Sequence, residues 1–129
     1  RVSPDYPGVV GYKGILLEDS GELGRAEEHY RRMLALHPDN PLLYQRLGYL
    51  LFRTGRAAEG ETVWTQGAAR TPDYKPLFQT WAFSLLQAGR TREAVAVMGR
   101  YLDAHPEDEE WAAMVATYER MLGAGAAGP

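Results

Sequence analysis

The chain has 129 residues, 45% of them apolar and 24% charged, with a net charge of −3 at pH 7. This is ordinary for a globular protein, enough for one continuous core and too short for two independent ones. The mild negative balance gives no footing for nucleic acid or an anionic membrane surface, and the lack of cysteine excludes disulfides and thiolate metal sites.

No apolar run approaches the roughly 20 residues of a membrane-spanning helix. Lys13 and Lys75 are the only lysines against many arginines, and alanine and glycine are plentiful, a bias expected of a GC-rich, bacterial genome. A cysteine-free chain suits cytoplasm and periplasm equally, and no basic-then-apolar leader is readable before Arg1, so the compartment stays open.

In chain order, residues 1–6 with Pro4 predict an extended entry segment. Helical spacing then runs from about Gly8 to Ser20 and, after Gly21, from Glu22 to His37 through Leu23, Ala26, Tyr30, Met33 and Leu34. Pro38 ends that helix, because proline lacks the amide donor and clashes with the preceding turn. The pair then repeats. Pro38, Pro72 and Pro106 recur every 34 residues, as do Gly21, Gly55 and Gly89, Leu17, Leu51 and Leu85, and the small series Gly14, Gly48 and Ala82.

Each landmark has a physical meaning. The closing glycines sit where a tight inter-helix turn calls for positive φ. Gly48 and its equivalents let paired helices approach, while Tyr44, Leu47, Leu51 and Trp64 fill the space between them. One pair cannot bury both of its apolar faces, so neighbours must stack.

Tyr44-x2-Leu47-Gly48-x2-Leu51 … Gly60-x3-Trp64 … Pro72 resembles the tetratricopeptide repeat, with its spacings and its 34-residue period. Phe78-x2-Trp81-Ala82-x2-Leu85 … Ala94-x3-Met98 … Pro106 matches too. Val10-x2-Lys13-Gly14-x2-Leu17 … Ala26-x3-Tyr30 … Pro38 matches except at Lys13, where a terminal repeat can expose the position. Gly60 replaces the usual alanine, and Gly67 and Gly99 also fall in second helices, each costing about 1 kcal/mol against alanine. Gly60 either softens its helix or marks a close backbone approach.

The resemblance implies an all-α fold, a right-handed α-solenoid of helix-turn-helix repeats with about seven helices. A single domain is expected over 7–122, with repeats at about 7–40, 41–74 and 75–108. Glu107 to Glu110 followed by Trp111, Met114, Val115, Tyr118, Met121 and Leu122 predicts a capping helix over about 107–122, its acidic start favoured by the helix dipole. Residues 123–129, a Gly/Ala tail, are expected to be mobile.

No catalytic constellation is present, so the sequence does not point to an enzyme. His37 and His105 each precede a repeat proline and read as structural; His29 lies among charged residues and is expected to face solvent. No histidine pair has metal-ligand spacing, and the 107–110 carboxylates lack the glycine and alternation of a calcium loop. Ser3, Ser20 and Ser84 carry no nucleophile motif, and the repeat period accounts for the glycines without any phosphate loop. Neither cofactor nor metal is expected.

In the family that the chain resembles, first helices line a concave groove. Residues one step off the packed stripe then face it: Gln45, Arg46, Tyr49, Phe52 and Arg53 in the middle repeat. The equivalents are Gln79, Thr80, Phe83, Leu86 and Gln87 one repeat later, and Gly11, Tyr12, Ile15, Glu18 and Asp19 one repeat earlier. Tyr12, Ile15, Tyr49, Phe52, Phe83 and Leu86 are expected to form an apolar and aromatic strip edged by Arg46 and Arg53, with Gln45 and Gln79 beside it. Such a strip marks a binding surface. Family members that hold acidic chaperone tails do so with lysine, arginine and asparagine; at the matching Gly11, Ile15, Arg46, Pro76 and Thr80 only Arg46 is basic, so that clamp is absent.

The function expected is a protein–protein interaction module or adaptor that takes a partner's apolar or mixed peptide segment in the groove. Two alternatives stand beside it. One is a self-assembling scaffold, associating through its terminal repeats or forming part of a longer array. The other is a bacterial secretion or assembly chaperone, implied by similarity to the three-repeat chaperones of type III translocators.

Overall fold

Three glycines punctuate the chain with the same geometry. Gly21, Gly55 and Gly89 have φ of 78°, 91° and 78°, the left-handed region that side chains with a Cβ avoid. After each, the next amide reaches back five residues: Glu22 N–H to the Leu17 carbonyl, Arg56 N–H to Leu51 and Arg90 N–H to Leu85, all at 2.9 Å. These bonds satisfy carbonyls orphaned at the helix end and reverse the chain. In a computed structural model describing residues 7–127, the turns separate helices α1 (Pro7–Asp19) from α2 (Leu23–Leu36), α3 (Pro41–Arg53) from α4 (Ala57–Arg70), and α5 (Lys75–Gln87) from α6 (Thr91–Ala104). A seventh helix, α7 (Glu109–Ala127), follows, and the described residues hold no strand. The expected entry segment over 1–6 lies outside the described residues.

The helices fall into two compact units, one ending at Thr71 and the other beginning at Pro72. In the first, α3 supplies the stripe Leu43, Tyr44, Leu47, Leu50 and Leu51, all buried, against the fully buried Trp64 of α4. Asn40 caps α3, its side chain accepting from the Leu42 amide at 3.1 Å, with Pro41 at the start of the helix. Gly48 is required by packing: a Cβ there would enter the Trp64 indole, as one at Gly14 would enter the Tyr30 ring. The Gly60 alternatives resolve in favour of close approach, since a Cβ would stand 2.6 Å from the Gly48 carbonyl oxygen and 2.9 Å from the Phe52 nitrogen. Lys13 is exposed where Leu47 and Trp81 are buried.

His29 departs from expectation. It is 4% exposed, its ring 6.1 Å from that of Tyr30. The repeat period places His29 in register with Val63 and Val97, both buried, so its position belongs to the inner stripe of the second helix despite its charged neighbours.

In the second unit, Leu77, Phe78, Trp81, Ala82 and Leu85 of α5 and Ala94, Val97, Met98 and Tyr101 of α6 form the core, and Trp111 of α7 is fully buried against it. Trp111 meets Tyr101 edge-on at 5.1 Å, and Asp108 accepts from the Trp111 amide at 3.0 Å. Lys75 ties the start of α5 to this corner, its Nζ 2.6 Å from Asp108 Oδ2 and 5.4 Å from the Trp111 ring centre. The α7 helix continues to Ala127 rather than stopping near 122. Alanine has the strongest helix propensity and no proline intervenes before Pro129, so Gly123 and Gly125 alone do not break it.

Candidate functional site: the first-helix face

The first helix of each pair presents residues flanking its packed stripe. Position 18 shows how differently repeats use this geometry. Glu18 stands one repeat before Phe52 and two before Leu86, a series of otherwise apolar residues. Its carboxylate side chain is only 3% exposed and accepts three donors. Tyr30 on α2 donates its hydroxyl to Oε2, Arg46 approaches Oε2 with Nη2 at 3.2 Å, and Arg53 reaches Oε1 with Nη2 at 2.9 Å. A buried carboxylate is tolerable only when paired and hydrogen-bonded, and here every donor is a phenol or a guanidinium. Burial pushes the Tyr30 phenol well above its ordinary range, and its bond to Glu18 raises it further, so it stays a proton donor.

Arg46 and Arg53 lie two turns apart on α3, so both point along one side of that helix toward α1. Between them in sequence, Tyr49 receives both cations over its ring, Arg46 Cζ at 5.9 Å and Arg53 Cζ at 5.6 Å from the centroid. Cation–π attraction of this kind contributes about 0.5–1 kcal/mol at partly exposed sites. The arginines expected to edge a groove are thus bound into the face itself: one carboxylate, two guanidiniums and an aromatic ring in a single cluster carrying one surplus positive charge.

The other expected residues distribute as follows. On α1, Tyr12 is 59% exposed and Ile15 is half-buried. On α3, Gln45 and Tyr49 are half-buried. Phe52 is half-buried too, its ring 5.4 Å from Trp64, so it leans on the second helix more than the strip reading implied. The Trp64 indole N–H donates to the Gln45 carbonyl at 3.2 Å, fixing that edge of the stripe. In the second unit α5 carries Phe83, 39% exposed, with Gln79 and Leu86 half-buried. Tyr12, Ile15, Gln45, Arg46, Tyr49, Phe52 and Arg53 therefore belong to the packed helices of the first unit, and Gln79, Phe83 and Leu86 to a separate face of the second.

The sequence reading sets Glu18 among the groove-facing residues of the first repeat and does not connect it to Arg46 and Arg53. The available signal was an acidic residue inside an apolar series, opposite two arginines seven residues apart on the next first helix. Among the described residues no three His, Asp or Glu side chains converge as metal ligands, and no helix is long and apolar enough to cross a membrane. His105 stacks on Tyr101 at 4.4 Å with Asp73 Oδ1 2.8 Å from its Nε2, which accounts for it structurally within the second unit.

No curated protein matches the chain. Among solved structures it is similar to the first TPR of Spaghetti (RPAP3) bound to the HSP90 peptide SRMEEVD, at 20% identity and a TM-score of 0.70, over 95% of this chain and 99% of that one. It is also similar to the first TPR domain of human RPAP3, at 19% identity and a TM-score of 0.69, over 98% of this chain and all of that one. At such identities the likeness speaks for the fold alone. The tetratricopeptide repeat model matches residues 17–81, just over half of the chain. With three glycine turns of one geometry and helices paired at one period, the chain belongs to the tetratricopeptide repeat family.

Proposed function

We propose that this chain is a protein–protein interaction module whose α1–α3 face takes an extended or helical segment of a partner by burying apolar side chains. The observation that carries the reading is the face itself. Tyr12 remains 59% exposed beside the half-buried Ile15, and Tyr49 is held half-exposed under two arginines rather than packed away. Exposed aromatic rings held rigid by neighbours are economical binding elements, because little side-chain freedom is lost on association. Phe83 and Leu86 on α5 offer a second apolar face.

One structurally similar TPR domain is bound to the HSP90 peptide SRMEEVD, which carries more acidic than basic residues. For this chain an apolar or mixed segment fits better. Of Gly11, Ile15, Arg46, Pro76 and Thr80 only Arg46 is basic, and its guanidinium already serves Glu18.

Selection of 12-residue peptides from a displayed library on the immobilised chain tests the reading. Selected peptides should carry aromatic or aliphatic side chains and lose about tenfold in affinity to Tyr49→Ala, the size of a modest hot spot. Peptides that bind wild type, Tyr49→Ala and Phe83→Ala equally would remove both faces as the binding surface. Sedimentation of the same samples separates peptide binding from self-association, the competing reading.

A further inference from the structure

We infer that Glu18 is the specificity-determining residue of the α1–α3 face: it cancels one of two guanidinium charges and fixes both arginines over Tyr49, so the face reads apolar rather than acidic segments. The inference rests on the proposed binding role of that face and adds the element that decides what it selects. Glu18 is an anomaly in its series, the acidic member beside Phe52 and Leu86, with a side chain 3% exposed. Arg46 and Arg53 are 26% and 37% exposed. Left alone they would present two mobile cations to solvent. Bound to one carboxylate from α1, they instead hold their Cζ atoms over the Tyr49 ring, 5.9 and 5.6 Å from its centre, and present a single net charge to a ligand. Planar guanidiniums both pair with carboxylates and stack on rings, so one buried anion can aim two of them.

Two consequences follow from removing the carboxylate while keeping its shape. In Glu18→Gln the face gains a full positive charge, and a fluorescein-labelled hexaglutamate peptide should bind about threefold or more tightly at low salt, the gain fading as salt screens it. The arginines also lose their anchor, so the ring resonances of Tyr49, assigned by difference against Tyr49→Phe, should shift in the free protein. Glu119→Gln makes the same change in net charge on the second unit and supplies the control.

Glu18→Gln exceeding Glu119→Gln in hexaglutamate binding, together with shifted Tyr49 resonances, supports the inference. Equal binding by the two variants, or unmoved Tyr49 resonances, overturns it. If Glu18→Gln does not fold, Arg53→Gln carries the test: it removes one exposed guanidinium from over Tyr49 and leaves Glu18 paired with Arg46. Unchanged ring resonances in that variant would again overturn the inference. Neither readout uses a library-selected peptide, so failure here is distinguishable from failure of the proposed function, which shows only as loss of discrimination by Tyr49→Ala and Phe83→Ala.

Discussion

The first two repeats solve one packing problem with opposite chemistry. In the second, Phe52 of α3 lies on Trp64 of α4 at 5.4 Å, and contact between apolar rings closes the helix pair. In the first, the same two positions hold Glu18 and Tyr30, joined by a hydrogen bond and extended by Arg46 and Arg53 from the next first helix. Ring-on-ring packing closes a helix pair on itself. The polar version is incomplete within its own repeat, since the carboxylate needs donors from α3 to be tolerable under the surface. The difference teaches that a repeat interface can be made obligatory by charge as well as by shape. It also engages two arginines that would otherwise present their charges on the first-helix face.

Substitutions can break or sharpen this contrast, and the largest effect belongs to the aromatic side. Trp64→Ala should destabilise the chain by about 3–5 kcal/mol, since a fully buried indole leaves a cavity between α3 and α4; urea unfolding measures it. Glu18→Ala should cost less, about 2–3 kcal/mol, because the stranded arginines are partly exposed and recover water. Adding Tyr30→Phe to Glu18→Leu should recover part of that loss, by making the first repeat as apolar as the second. A double-mutant cycle giving zero coupling would show that the Tyr30–Glu18 bond contributes nothing.

Glycine contrasts come next. Gly60→Ala should destabilise by about 1–2 kcal/mol despite its better helix propensity, because its methyl meets the backbone of α3. Gly99→Ala, where nothing stands within 4 Å, should stabilise by up to about 1 kcal/mol. Thermal melts of the pair test whether Gly60 and Gly99, both in second helices, differ in close approach as their surroundings do.

The smallest effect is electrostatic and lies in the second unit. The hydrogen bond from Lys75, then the Trp111 amide, hold the Asp108 carboxyl below its ordinary value of 3.8. A depressed folded-state value contributes stability that is present above the unfolded value and lost as pH falls through the folded one. In Asp108→Asn the neutral-pH stability should therefore fall slightly, and the difference from the unsubstituted chain should close below about pH 4, so that the acid limb of the stability–pH profile flattens.

Much of this molecule was readable from spacing. Leu47, Gly48, Leu51, Gly55 and Pro72 are set by backbone geometry and by the need of each pair to bury its stripe, and such constraints leave a period. Even His29 was legible, for the same period aligns it with Val63 and Val97; local charge obscured it. The end of α7 was not, because alanine's propensity and glycine's cost nearly balance over 123–127.

The sequence by itself determined the repeated helix pairs, their turns and their inner stripes, since these follow from helix geometry acting over a few residues at a time. Only the tertiary structure decided where the charges at 18, 46 and 53 go. Whether a carboxylate on α1 meets two guanidiniums on α3 depends on how those helices pack with α2 intervening in the chain, which no spacing within either helix records.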